Sequence, residues 1–344
     1  MLMPEHGSTA SGGRRIAFTR IGYVLSLGIF VAAVIVLYHI LRNINPRALL
    51  TALKATDPRT LVIAGGFVAG GYVTLTFYDL FALRTIGRFD VPYRIAALTS
   101  FTSYSVGHNI GASVFSGGAV RYHIYSNWGL SVVEVTKICF VAGLTFWLGN
   151  VTVLGIGILY TPAAAHAIDQ MPLWANRSLA IVLLGLLAAY VSWVWTKPRI
   201  IGRDDWQVVL PGGPLTLVQI VIGMFDLSCC AAAMYMLMPA EPNVGLATVA
   251  VIFVAATLLG FASHAPGGLG VFDATMMVAL SQFNKEQLLA GLLLFRLLYY
   301  ITPFVLSLIV LGIREARLNA ARRATRAPPL ATASEYAGEP SDVS

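Results

Sequence analysis

The chain has 344 residues, of which 57% are hydrophobic and only 11% charged, with 23 Lys and Arg against 16 Asp and Glu and a formal net charge of +7. Ordinary globular domains carry about 25% charged residues, so a large water-soluble domain is excluded. The positive balance does not point to nucleic acid either, because Lys and Arg sit at the ends of apolar runs, where they act as topology signals facing anionic headgroups.

In chain order, residues 1–20 carry Arg14, Arg15 and Arg20 and form a cytoplasmic N-terminal tail. The apolar run that follows, 21–41, is too long for a twin-arginine signal and lacks a small-residue cleavage site, so it is predicted to stay as the first membrane helix. Apolar runs near or above about 18 residues, enough to cross a core of about 30 Å, recur to the end of the chain. Eight hydrophobic segments emerge, at 21–41, 61–83, 95–118, 132–160, 178–196, 215–238, 244–262 and 288–312. The expected fold is therefore an all-α integral membrane protein with one polytopic domain over 21–312. Residues 44–56 place Leu49, Leu50 and Leu53 on one side and Arg47 and Lys54 on the other, a short interfacial helix opened by Asn45-Pro46. Residues 313–344 begin basic and turn into an Ala, Pro, Ser and Glu tail expected to be disordered and cytoplasmic. The three cysteines, Cys139, Cys229 and Cys230, lie in apolar runs with no CxxC, and no histidines cluster, so neither a disulfide framework nor a metal site is expected.

Segments three and seven differ from the rest. The third holds Thr99, Ser100, Thr102, Ser103, Tyr104 and Ser105, then Gly107, His108, Asn109 and Gly111, and ends on Gly117-Gly118. The seventh runs into Ser263-His264-Ala265-Pro266-Gly267-Gly268-Leu269-Gly270, which breaks a helix. Irregular backbone at membrane depth survives only inside protein or beside a wet cavity, so both breaks are candidate site-builders. Paired interruptions of this kind suggest a repeat-built transporter with its site at the repeat interface. Topology has two readings: eight crossings, or six crossings with segments three and seven dipping in and returning, which makes the halves inverted repeats. The second places Lys197, Arg199 and Arg203 inside and Arg177 outside, which strengthens the positive-inside bias. Both put the two termini in the cytoplasm.

Charges at membrane depth are costly and mark pathways or internal pairs. Asp79, Arg121, Glu134, Lys137, Asp226, Asp273 and Arg296 are the candidates. Glu134 and Lys137, at i and i+3, either neutralise each other or serve a pathway. Asp79 either sits at headgroup level beside Arg84 or is functional. Arg121, followed by Tyr122, either anchors at the interface or grips a lipid phosphate with its planar fork. Asp273 either caps the helix after the second break or meets a cationic group. Arg296 needs an internal partner, for which Asp273 and Asp226 are the choices. His108 and His264, one at each break, are candidate donors or proton carriers, or structural.

The runs Gly107-His108-Asn109, Gly118-Ala119-Val120-Arg121-Tyr122, Trp128-Gly129-Leu130-Ser131 and Ser263 to Ala274 resemble the lysylphosphatidylglycerol synthase transmembrane-region family, the flippase half of multiple peptide resistance factor proteins. The resemblance covers most of 15–315 and also touches Tyr78-Asp79-Leu80 and Phe295-Arg296 with Tyr299-Tyr300. It implies a bacterial inner-membrane lipid translocase for aminoacylated phosphatidylglycerol or a related amphipathic lipid, and not an enzyme. The implied lipid-contacting set is His108, Asn109, Gly117, Gly118, Arg121, Tyr122, His264, Pro266, Gly267, Gly268, Gly270, Asp273 and Arg296. The family usually has glutamate at the place of Asp273, and the soluble domain that transfers lysine from tRNA is not seen in this sequence. No Walker motif is present, so ATP is not the expected driver. Membrane lipids are the expected partners, with a homo-oligomer and a neighbouring lipid-modifying enzyme left open; no cofactor is expected. The competing readings are a membrane transferase using a lipid-linked donor, for which Asp204-Asp205 is the one adjacent acidic pair, and an accessory carrier of hopanoids or glycolipid precursors.

Overall fold

The structure is a computed structural model that describes residues 46–110, 113–197, 199–203 and 206–326. The segment at 21–41, Gly111, Asp204-Asp205, the expected N-terminal tail at 1–20 and residues 327–344 of the expected C-terminal tail lie outside the described residues, whereas residues 313–326 of that tail continue a helix.

The interfacial helix is present as α1, Pro46–Ala55, with Leu49 and Leu53 half-buried but Leu50 turned out. Helix α2, Pro58–Thr85, starts where the Asp57 carboxylate accepts from the Arg59 N–H at 3.0 Å and proline occupies the first turn. Its 28 residues span about 42 Å at 1.5 Å each, and it ends at Gly87, whose φ of +83° turns the chain out of the helix.

The chain then makes a helical hairpin. Helix α3, Tyr93–Ile110, and helix α4, Ser113–Tyr125, lie against each other. The Ser103 hydroxyl donates to the Gly117 carbonyl at 2.7 Å, and a Cβ on Gly117 would stand 3.2 Å from the Ser103 carbonyl oxygen. Glycine at 117 is therefore what lets the limbs close. At the open end Arg88 donates to the Trp128 carbonyl at 2.6 Å and to Glu134 at 3.0 Å, so the start and finish of the hairpin share one face of the molecule.

Helix α5, Val132–Tyr160, opens with a reciprocal cap between Ser131 and Glu134. A short α6, Pro162–Asp169, leads to α7, Leu173–Thr196. Two strands, β1 (Ile200–Arg203) and β2 (Trp206–Val209), pair antiparallel with Ile200 opposite Val209; they interrupt the otherwise helical architecture at one surface. Helix α8, Gly213–Leu237, crosses next to α2 and α5.

A second hairpin follows. Helix α9, Leu246–Ala262, stops at the break, where His264, Gly267, Gly268 and Gly270 all take positive φ and Pro266–Gly268 form a 3-10 turn. Helix α10, Val271–Ala279, returns along α9, with Phe272 edge-on to Phe253 at 5.5 Å between centroids. Helix α11, Lys285–Arg296, is capped by Asn284 and runs through a π-turn, Leu297–Ile301, into α12, Thr302–Arg326. Gly291 of α11 lies against the Leu237 carbonyl, so both ends of this hairpin lie on the face opposite to that of the first.

Among the described residues five helical stretches are long and apolar enough to cross a membrane: α2, α5, α7, α8 and Lys285–Leu318. The protein is thus a helical, multi-span membrane protein, but two of the expected eight segments are broken. Segment three is two helices joined at 111–112 and reaching Tyr125, and segment seven is a 17-residue limb that turns back. Arg84, Arg88, Arg94, Lys197, Arg199, Arg314 and Arg317 belong to the face that holds the open end of the first hairpin; Arg47, Lys54, Arg59, Arg177 and Lys285 belong to the other.

Helices α5 and α8 touch backbone to backbone, since a Cβ on Gly223 would lie 2.7 Å from the Thr145 carbonyl oxygen and 2.8 Å from the Gly149 Cα. Small residues at a crossing replace the hydrophobic drive that lipid cannot supply. Gly223→Ala is expected to lower stability by about 1–3 kcal/mol through overpacking. Gly185→Ala, where nothing lies within 4 Å, is expected to leave it unchanged. Thermal melts in detergent check the pair, and equal melting points would refute the contact.

Candidate functional site

The tips of the two hairpins meet in the middle of the molecule and close a cavity of about 290 Å³. From the first hairpin come Ser103, Tyr104, His108, Phe115 and Arg121; from the second, Thr257, Phe261, His264, Gly267 and Phe272. Helix α5 adds Cys139 and Trp147, α8 adds Asp226 and Cys230, and the π-turn adds Tyr299 and Tyr300.

Both tips are tied to α11 and its π-turn. The Asn109 side chain donates to the Tyr300 carbonyl at 3.0 Å and to the Ser105 carbonyl at 2.8 Å. The His108 ring stacks on Tyr299 at 5.8 Å. Arg296 donates to Asp273 from Nε at 2.9 Å and Nη2 at 2.6 Å, and its Nη1 reaches the Gly267 carbonyl at 3.1 Å. One guanidinium therefore pins the left-handed turn at Gly267 to the helix that follows it. Asp273 also accepts from the Gly270 N–H at 3.2 Å, so its capping role and its ion pair coexist.

A second buried pair sits on the first hairpin. Arg121, 5% exposed, donates from Nε at 3.0 Å and Nη2 at 2.7 Å to Asp79, which is fully buried and also accepts from the Tyr125 hydroxyl at 3.0 Å. Tyr104 lies under the guanidinium with 4.7 Å from its carbon to the ring centroid. Two expectations are corrected here. Asp79 is not at headgroup level beside Arg84, because the hairpin folds Arg121 onto it. The fork of Arg121 is not open for a phosphate in this conformation, because two of its three nitrogens are committed to Asp79.

The Glu134–Lys137 pair does not form: Glu134 is held by Arg88 and Ser131, and half-buried Lys137 has no ion-pair partner among the described residues. Arg296 chooses Asp273 over Asp226. Tyr122 is 44% exposed and does not line the cavity. Gly118 approaches Cys139, with 3.8 Å from a built Cβ to the sulfur. His264 has its Nδ1 3.0 Å from the Ala262 carbonyl and turns toward the cavity mouth.

Asp226 is 4% exposed and receives one hydrogen bond, from the Tyr78 hydroxyl at 3.1 Å; its second oxygen has no partner. Tyr78 and Tyr104 stand in the runs named above, but the bonds that Tyr78 and Tyr125 make and the place of Tyr104 under Arg121 are set by the fold. A phenol in an apolar run must find a hydrogen-bond partner, and that was the signal available.

The family described as lysylphosphatidylglycerol synthase TM region matches residues 23–307. An uncharacterized protein of Synechocystis is 28% identical over 258 residues, covering 74% of this chain and 79% of its own length. Inner membrane protein YbhN of Escherichia coli strain K12 is 27% identical over 307 residues, covering 87% and 94%. A phosphatidylglycerol lysyltransferase of Staphylococcus haemolyticus is 27% identical over 293 residues, which is 84% of this chain but 33% of the enzyme. The chain thus spans about a third of that lysyltransferase's length. With most of its length matched and its two breaks folded into one cavity, the chain belongs to the lysylphosphatidylglycerol synthase transmembrane region family.

Proposed function

We propose that the protein is a lipid translocase of the bacterial inner membrane, which carries a polar headgroup through the cavity while the acyl chains stay in the bilayer. The observation that carries this reading is the contrast within one cavity. Its floor is buried and polar, with Ser103, Arg121 and Asp226, while its rim is apolar and exposed, with Phe115 at 80% and Trp147 at 51%. A headgroup is matched by the floor, and a rim of rings open to lipid matches chains. The substrate class is phosphatidylglycerol or an aminoacyl derivative of it, in keeping with the lipid that the related lysyltransferases are named for.

The two hairpins are read as the re-entrant dips of an inverted repeat. Helices α2 and α5 flank one, and α8 with the α11–α12 span flank the other, entering from opposite faces. The face richer in Arg and Lys is assigned to the cytoplasm, which puts the end of α12 inside. Such a device moves substrate by rocking one half against the other around a fixed site.

The test is reconstitution in liposomes with fluorescent phosphatidylglycerol and fluorescent lysyl-phosphatidylglycerol in the inner leaflet, read by an external quencher. Protein is expected to speed exposure of at least one of them, and the faster lipid names the headgroup. Rates equal to those of empty liposomes for both lipids would sink the reading.

A further inference from the structure

We infer that Asp226 is a cation-exchange site in the cavity, holding a proton when the cavity is empty and releasing it to water when the primary ammonium of a bound amphiphile takes its place. The inference rests on charge accounting at the site. The guanidinium that lines the cavity, Arg121, is committed to Asp79, and Asp273 is committed to Arg296 outside the lining. Asp226 is the carboxylate that lines the cavity, and it forms no ion pair among the described residues.

The groups that face Asp226 are mostly phenols and thiols, and the His108 and His264 imidazoles and the Arg121 guanidinium line the same cavity. Helix α2 brings the phenols of Tyr72 and Tyr78, α3 brings Tyr104, the π-turn brings Tyr299, and its own helix brings Cys229 and Cys230. Helix α9, packed beside it, contains no ionisable residue over Leu246–Ala262; α5 contributes the thiol of Cys139 to the cavity. Helix α7, also against α8, has Arg177 at its start and Tyr190, and α11 sends its Arg296 to Asp273.

A carboxylate removed from water with one hydrogen bond and no countercharge is strongly disfavoured, and two outcomes relieve it: a proton, or a cation brought by a ligand. The unpartnered oxygen rests over Gly71, where a built Cβ would be 3.4 Å from it. The terminal carboxyl torsion is broad and roughly twofold, so the same oxygen can turn to the cavity when an ammonium arrives. One positive charge enters and one leaves, and the cavity stays neutral in both states. The exchange depends on the headgroup reading only for the identity of the amphiphile.

The experiment is labelling of the full-length reconstituted protein with dicyclohexylcarbodiimide: a protonated carboxyl adds across its C=N bond to give an O-acylisourea, which rearranges to a stable N-acylurea found by peptide mass spectrometry. Labelling is expected at Asp226, falling about tenfold per pH unit once its titration is passed. It is expected in Asp226→Glu and absent in Asp226→Asn. Octylammonium is expected to protect the site, while 1-octanol and methylammonium at the same concentration are not. No label at Asp226, equal protection by octanol, or equal protection by methylammonium each overturns the proposal. Failed lipid translocation with protected labelling would remove the carrier reading and leave the exchange site; translocation without labelling would do the reverse.

Discussion

Arg121→Ala is expected to lower stability by about 3–5 kcal/mol and to abolish lipid exposure in the liposome assay. The substitution leaves Asp79, fully buried, with the Tyr125 hydroxyl as its one remaining hydrogen-bond donor among the described residues. Arg121→Lys keeps the charge without the planar fork and is expected to fall between parent and alanine. The decisive member is the double variant Asp79→Asn with Arg121→Gln, which removes both charges and keeps the volumes close. It is expected to melt within about 1 kcal/mol of the parent, because no unpaired charge stays buried, and still to be inactive. A stable and active double variant would make the pair scaffold alone. Thermal melts and the quencher assay on the parent, the two single variants and the double variant supply both readings.

Arg296→Ala is expected to cost about 3 kcal/mol or more, for a different reason. It releases both oxygens of Asp273 and the Gly267 carbonyl together, and so unpins a turn in which four residues hold positive φ. A cysteine placed at Leu269, which is half exposed beside the break, is expected to react faster with a maleimide in the Arg296→Ala background. Unchanged melting and unchanged cysteine reactivity would show that the turn holds itself and that the arginine is dispensable.

The break motifs show how far the sequence reads. Ser263 to Gly270 announces an interruption because proline and glycine cannot continue a helix, and the many hydroxyls of segment three mark it as unfit for lipid on all sides. Nothing in either motif states its partner. Arg121 lies 42 residues from Asp79, and Arg296 lies 23 from Asp273, so neither pair has the i, i+4 signature of a helix face. The one pair that local spacing did suggest, Glu134 with Lys137, is the one that does not form, because Arg88 comes across the open end of the hairpin to take Glu134. Tyr78 was visible only as a neighbour of Asp79, and its bond to Asp226 spans 148 positions.

The sequence by itself determined the solvent of this protein, its helices, its family and the places where the helices must break, because those follow from apolar length, charge scarcity and local backbone chemistry. Only the tertiary structure decided that each break folds into a hairpin, that the two tips meet, and which charges neutralise each other. Those outcomes depend on close approaches such as Gly117 to Ser103 and Gly223 to Gly149, and a contact between distant residues leaves no periodicity to read. The same packing leaves Asp226 as the carboxylate of the cavity without a countercharge, a fact of arrangement that its position in an apolar run does not carry.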